Sequence, residues 1–222
     1  ALRAGASNAL GTGTVTVGTR AQLINDHATG LDSLSGVILN GAASSLLLNQ
    51  PWSNTAARLD LAGGSPVVRL GNAASSIGDL SGSTGVIQGS GTSSSLTVNQ
   101  TGDRVFSGNL GASLRFVKSG PATLTLAGSL DPALALGVHS GTLVPPAGST
   151  IGSLQQNGGS LRLALPASPA AAALTLTGAL THTGGSIDVD VASAPLTDTP
   201  YTLLRYQGAL GGTPEVAVHD NS

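Results

Sequence analysis

Short runs in which Thr or Ser alternates with Leu, Val or Ile recur along the whole chain. They occupy residues 14–17, 95–98, 123–126, 160–163 and 187–191. Alternation with a period of two places every second side chain on one face of a strand, so each run predicts a half-buried β-strand. Apolar residues at helical spacing are not sustained, because Gly, Asn or Pro interrupts them every few positions. The pattern therefore predicts an all-β protein with almost no helix.

The predicted strands follow one another at a regular distance. When one inward-facing residue is taken from each strand, the steps between these residues average about ten positions. Glycines between the strands mark the expected turns, since glycine tolerates a positive φ. The inward-facing residues are Leu47, Leu59, Val68, Ile77, Ile87, Leu96, Phe106, Phe116, Leu124, Leu134, Leu143, Ile151, Leu161, Leu174 and Ile187.

Two architectures suit many short strands at this spacing: an antiparallel sandwich or barrel, and a solenoid of parallel strands. A sandwich would place large aromatic side chains between its sheets and close its hairpins with Asn-Gly or Asp-Gly turns. This chain is 2% aromatic, contains no Asp-Gly and contains Asn-Gly only at residues 40–41 and 157–158. We therefore predict a right-handed parallel β-helix with about three strands per coil, about eight coils of roughly 20–30 residues, and a length on the order of 40 Å.

Composition excludes several classes of function. The chain has one lysine, eight arginines and a net charge of −2, so a nucleic acid is not expected as its partner. It has no cysteine, which excludes disulfides, thiolate zinc sites and a thiol nucleophile. The longest apolar stretch, residues 164–180, is interrupted by Pro166 and Pro169 and is not expected to span a membrane. Ala1 does not begin a signal peptide, and we expect an internal piece of a longer protein.

Residues 76–82, 96–98, 104–108 and 114–128 together resemble the autotransporter-associated β-strand repeat. The likeness rests on a Phe-Ser-Gly step at 106–108, a Lys-x-Gly step at 118–120, and a Thr-Leu-Thr-Leu strand at 123–126 that precedes Gly128. Residues 8–17 resemble the tail of a preceding repeat, and residues 201–212 are similar to the segment that such passengers often carry before their membrane barrel. The chain departs from the repeat at Ala122, where the family has glycine, and at residues 130–133, which replace the family's Tyr-Thr-Gly-Gly-Thr.

This resemblance implies a passenger of a type V secretion system, exported to the cell surface of a Gram-negative bacterium. It implies β-helix coils over residues 1–183 and an autochaperone-like segment over residues 184–222 that continues the same solenoid. The implied partner is a membrane β-barrel that follows in the same precursor. We expect a non-enzymatic surface stalk or scaffold that folds as it is exported. The alternatives are an adhesin or self-associating passenger that binds a host surface or itself, and a β-helical polysaccharide enzyme.

Candidate chemical motifs have simpler structural interpretations. The Ser-rich loop at 91–95 has no neighbouring base and is interpreted as a turn. Residues 184–191 resemble one copy of a calcium-binding Gly-Asp repeat, but the spacing differs, and Asp188 and Asp190 are expected on the solvated face of a strand. Eleven acidic residues without a cluster do not suggest a glycosidase or a lyase. The sequence therefore predicts no catalytic residue, no cofactor and no metal site.

A few single residues need an interpretation of their own. Trp52 lies in a predicted loop and is the one candidate binding residue, as an anchor for a glycan or a protein; alternatively, it packs over a coil. Lys118 should share the inward face of Phe116 unless the strand ends there; we expect that it ends, with the ammonium reaching a turn carbonyl. The arginines Arg69, Arg104, Arg115, Arg162 and Arg205 are interpreted as solvated or as pairing between coils.

Overall fold

The computed structural model describes residues 1–191, 200–214 and 216–219, with only the backbone of Val218 and His219. All regular secondary structure in these residues is β-strand. The strands are β1 (Leu2–Ala4), β2 (Thr14–Val17), β3 (Gln22–Asn25), β4 (Gly36–Asn40), β5 (Ser45–Leu48), β6 (Ser53–Asn54), β7 (Arg58–Gly63), β8 (Val67–Leu70), β9 (Ala74–Ile77), β10 (Leu80–Gly82), β11 (Val86–Gly89), β12 (Ser95–Asn99), β13 (Arg104–Phe106), β14 (Asn109–Leu110), β15 (Arg115–Ser119), β16 (Thr123–Leu126), β17 (Ala135–Val138), β18 (Thr142–Val144), β19 (Ser149–Ile151), β20 (Ser153–Ala164), β21 (Ala172–Leu176), β22 (Leu180–Asp190), β23 (Thr202–Tyr206), β24 (Leu210–Gly211) and β25 (Val216–His219).

The strands stack on three faces, which we name A, B and C; a coil with all three strands, such as that of β5, β6 and β7, visits them in this order. Face A holds β1, β3, β5, β8, β11 and β14, a single bridge from Leu110 to Leu130, and then β19, β21 and β23 in the same place of later coils. Face B holds β6, β9, β12, β15, β17 and β24. Face C holds β2, β4, β7, β10, β13, β16, β18 and β25. The long strands β20 and β22 run around the corner from face B to face C.

Every strand pairing among the described residues is parallel and joins one coil to the next. Phe116 of β15, for example, pairs with Leu96 one coil before it and with Leu136 one coil after it. The paired residues lie between 18 positions apart, as for Leu136 and Leu154, and 30 positions apart, as for Leu174 and Leu204. About nine coils result. The predicted parallel β-helix with three strands per coil is confirmed, and the antiparallel alternative does not describe this chain.

Stacked aliphatic side chains fill the interior of the solenoid. On face B, Leu96, Phe116, Leu136, Leu154 and Leu180 form one inward column in which each residue is at most 2% exposed. Each side chain is thus buried mainly against the equivalent residue of the neighbouring coils, and a narrow core of this kind needs few aromatic residues.

All but one of the predicted inward-facing residues are buried, from Leu59 to Ile187. The exception is Leu47, for which the prediction was wrong. In β5 the side chains of Leu46 and Leu48 point inward and that of Leu47 is only partly buried. Three consecutive leucines give no alternation, so the sequence alone does not determine which face of this strand is turned inward.

Candidate functional site

Trp52 lies within the core. Its side chain is 0% exposed, and it belongs to the continuous cluster of buried apolar residues. Its backbone is also engaged within the solenoid. The Trp52 amide donates a hydrogen bond to Ser75 Oγ at 3.1 Å, and the Trp52 carbonyl accepts one from Ser76 N at 2.7 Å. The indole therefore has no face open to a surface ligand. Packing over a coil, the alternative interpretation of this residue, accounts for its position.

Lys118 is a fully buried cation in the same interior. The strand β15 continues one residue past it, so the expectation that the strand ends before Lys118 turns inward was wrong. The expected contact with turn carbonyls is confirmed, since Nζ donates to the carbonyl oxygens of Ser119 at 2.7 Å, Gly120 at 2.9 Å and Ser140 at 3.0 Å. Burial lowers the pKa of Lys118 to about 8, although the charge of Asp103 acts in the opposite direction.

The buried ammonium makes stability depend on pH. Below about pH 8 both the folded and the unfolded chain are protonated at Lys118, and the folded state bears the full cost of burying the charge. Between about 8 and the ordinary value of 10.5, the unfolded chain binds more protons, so the free energy of unfolding should rise with pH by up to about 3 kcal/mol. Urea unfolding at several pH values measures this rise. In the Lys118→Met variant the rise should disappear.

The same titration has a direct readout. Lys118 is the only lysine of the chain, so its ε-methylene NMR signal reports one midpoint, expected near pH 8. Both tyrosines remain in the variant, so their titration cancels in the comparison. A stability difference between the two proteins that stays constant from pH 7 to 10 would contradict the assignment.

A shallow groove runs along the outer surface of face C. One part has a volume of about 540 Å³, and a second part of about 440 Å³ shares Arg58, Ser81 and Val105 with it. We call the two parts together the arginine groove. Its lining residues are Arg58, Asp60, Ala62, Ser81, Gly82, Ser83, Asp103, Arg104, Val105, Ser107, Thr123, Thr125 and Arg162.

The coil register brings the groove residues together. Asp60 pairs with Ser81, Val105 pairs with Thr125, and the neighbouring pair Gly82–Phe106 joins these two sets of strands. Arg58, Arg104 and Arg162 stand on β7, β13 and β20. With β10 between the first two strands, and β16 and β18 between the last two, the arginines span five strand spacings, or about 24 Å along the solenoid.

The three arginines differ in how firmly they are held. The guanidinium of Arg58 donates to Asp60 Oδ2 at 2.8 Å and to Ser81 Oγ at 3.0 Å, and the Ser81 hydroxyl donates to Asp60 Oδ1 at 3.0 Å. Arg104 lies 3.8 Å from Asp79, which is a loose ion pair. Within residues 1–191, 200–214 and 216–219, the side chain of Arg162 has no hydrogen-bond or ion-pair partner. The number of guanidinium N–H donors that are not already engaged by the protein therefore increases from Arg58 to Arg162.

Acidic residues beside the groove are held by the backbone. Asp103 Oδ1 accepts a hydrogen bond from Thr123 N at 2.7 Å. Burial alone would raise the pKa of Asp79, but hydrogen bonds from the amide and hydroxyl of Thr101 and from the amide of Gly102, together with the Arg104 charge, leave that pKa lowered. Both carboxylates are thus fixed by backbone amides, and that of Asp79 lies beside Arg104.

The region of the calcium-like motif is covered rather than solvated. Ile187 and Val189 point inward as expected, but Asp188 is only 8% exposed and accepts a hydrogen bond from Ser160 Oγ. The expectation of a solvated face was wrong for Asp188, because β20 of the preceding coil packs beside it. The proposed segment boundary at residue 184 falls inside β22, whose pairing with β20 continues on both sides of that residue.

Buried polar side chains near this end of the solenoid do not assemble into a metal site. Gln156 and His182 are adjacent in the register, and both are at least nine-tenths buried. Gln156 Nε2 donates to Ser186 O at 2.7 Å, whereas Gln156 Oε1 and His182 Nδ1 have no hydrogen-bond partner. Among the residues with described positions, no three His, Cys, Asp or Glu side chains lie close enough to hold a metal ion.

Sequence reasoning did not identify the arginine groove. The sequence indicates only that Arg104 and Arg162 are solvated or pairing residues, and it gives Arg58 no particular role. No local signal marks the three residues, because they are 46 and 58 positions apart. The three arginines become neighbours only through the register between successive coils.

The described part of the chain contains no helix that could cross a membrane. Comparison with family models, with curated proteins and with solved structures found no match to this chain.

Proposed function

We propose that this chain is a non-enzymatic β-helical passenger segment, which acts as a surface stalk or scaffold of a bacterial autotransporter and folds progressively as it is exported. The observation that carries the proposal is the pairing pattern. Each described strand forms its ladder only with strands of neighbouring coils. The molecule therefore grows along one axis, as a stalk requires.

The pairing supports a mechanism for folding during export. Strand β15 finds all its partners in β12 and β17, about 20 residues before and after it. A coil that has just emerged therefore needs as its template only the neighbouring coil that has already folded. Each added coil buries its share of the aliphatic columns, and this gain in free energy opposes backward movement of the chain.

The residues that resemble the autotransporter repeat have structural roles in this solenoid. Phe106 and Phe116 are fully buried, and Leu124 and Leu126 are the inward residues of β16. The threonines of the same strand, Thr123 and Thr125, face outward and are partly exposed. This distribution supports the view that the repeat encodes a coil rather than a catalytic centre.

The proposed folding mechanism predicts that the two ends of the chain differ in importance. Removal of residues 184–222, the autochaperone-like segment, should slow refolding from urea at least about tenfold, because the segment would provide the first template. Removal of residues 1–35, which ends just before β4, should change the rate little. Stopped-flow or manual-mixing circular dichroism measures both rates.

Equilibrium unfolding of the two shortened chains provides the control. Since the chains lose a similar number of residues, a general loss of stability should affect both. Equal refolding rates for the two truncations would remove the basis for a C-terminal nucleus, and with it the proposed direction of folding.

A second candidate function is favoured by one observation. A passenger that acts as an adhesin needs a recognition surface, and the arginine groove concentrates three of the eight arginines on one face. The adhesin role and the stalk role are compatible, because the groove lies outside the core that holds the coils together.

A further inference from the structure

We propose that the arginine groove binds a linear acidic polysaccharide. The inference goes beyond the stalk role, and the two proposals can fail separately. It starts from the direction of the groove, which follows the axis of the solenoid across six strands from β7 to β20. The strands that carry Arg58, Arg104 and Arg162 span about 24 Å, and all three side chains line the same part of the groove, so an extended anionic polymer that lies along the axis could contact them together.

The charge distribution favours an anionic ligand. The lining of the whole groove holds three arginines and two acidic residues, Asp60 and Asp103, so its formal charge is positive. One oxygen of Asp103 already accepts the amide of Thr123. Arg162 has no described partner, and Arg104 has only the ion pair at 3.8 Å. A guanidinium group presents several N–H donors in a planar fork that matches a carboxylate or a sulfate, so these two side chains are the strongest candidates for ligand contacts.

The remaining lining residues suit a sugar chain. Thr123 and Thr125 offer partly exposed hydroxyl groups that both donate and accept hydrogen bonds, as sugar hydroxyls require. Val105 is 53% exposed at the centre of the groove and offers an apolar contact to the face of a sugar ring. The chain as a whole has a net charge of −2, so a general attraction to every polyanion is not expected.

Arg58 is the most firmly held of the three arginines. Its hydrogen bonds to Asp60 and Ser81 fix the guanidinium on the groove wall. The side chain is nevertheless 47% exposed, so donors remain available. Substitution of Arg58 would also disturb Asp60 and Ser81, and it is therefore not used as the test.

The experiment measures binding of the full chain to alginate oligosaccharides by isothermal titration calorimetry at low salt. Wild-type protein should bind, and Arg104→Ala and Arg162→Ala should each weaken binding about fivefold, since exposed ion pairs contribute up to about that factor. The double variant should lose more than either single variant. Arg162→Lys keeps the charge but not the planar fork, and it should bind at an intermediate level.

Arg69→Ala is the matched control. Arg69 is an exposed arginine of β8 on face A, away from the groove, so its removal changes the net charge equally and should leave binding unchanged. Thermal unfolding of each variant confirms that the coils are intact. Dextran sulfate distinguishes sulfate from carboxylate as the recognised group, and binding of either polymer supports the proposal.

Four results would overturn it: no binding of alginate or dextran sulfate, equal binding of uncharged dextran, equal binding of single-stranded DNA, or an equal loss in Arg69→Ala. The last two would show a general attraction between charges rather than a site. None of these results affects the refolding comparison, so the stalk proposal is tested independently.

Discussion

Substitution of Gly141 by alanine should destabilise the solenoid by about 3–5 kcal/mol. Gly141 has a φ of +64°, where a side chain costs about 1–2 kcal/mol. A Cβ atom at this position would also lie 2.3 Å from the carbonyl oxygen of Gly120 and 2.6 Å from that of Ala122. Both atoms belong to the backbone of the preceding coil, which cannot retreat without disturbing the ladder between β16 and β18. Urea unfolding followed by circular dichroism measures the loss.

Gly148→Ala separates the cost of the backbone conformation from the cost of the contact with the neighbouring coil. Gly148 has a similar φ of +72°, but a Cβ atom there would meet nothing within 4 Å. This variant should lose only the cost of the backbone conformation, about 1–2 kcal/mol. The difference between the two variants then measures the contact between coils. Equal losses would show that close approach of the coils at Gly141 has no energetic weight.

Phe116→Ala should be similarly severe, with a loss of about 3–5 kcal/mol. The ring is 0% exposed and lies in the inward column between Leu96 and Leu136. Because both neighbours belong to strands that pair with β15, they are held at the strand spacing and cannot collapse into the cavity. The midpoint of urea unfolding gives the loss, provided that the slope of the transition is unchanged.

Two further variants control for the size and the place of this change. Phe116→Leu keeps most of the volume and matches the leucines of the column, so its cost should stay below about 1.5 kcal/mol. Tyr206→Ala removes an aromatic side chain that is 40% exposed and should cost less than Phe116→Ala. A loss below about 1.5 kcal/mol in Phe116→Ala itself would mean that the coils do adjust to fill the space.

The fold was predictable because two independent properties of the sequence agree. Alternation gives short strands, and the lack of aromatic residues favours a narrow core over a sandwich. The wrong predictions concern residues at which polar and apolar side chains do not alternate. At Leu46, Leu47 and Leu48 both faces of the strand are equally apolar, so packing decides between them. Trp52 lay outside any alternating run, and only the structure shows that neighbouring coils enclose it.

Lys118 and the arginine groove show why sites are harder to predict than strands. Alternation alone would place Lys118 inside. The buried ammonium is stabilised partly by its hydrogen bond to the carbonyl of Ser140, which lies 22 residues later in the next coil. The groove likewise depends on which residues of distant coils become neighbours. Coils vary from 18 to 30 residues, so no fixed period in the sequence reveals this alignment.

The parallel ladders also determine how the molecule would respond to force. The hydrogen bonds between coils point along the axis of the solenoid, so a pull on the two ends of the chain loads the outermost coil first and the others in turn. Each coil that opens releases about 20 residues, or roughly 70 Å of extended chain. Under tension the solenoid is expected to lengthen in steps, while the coils that remain closed keep their structure.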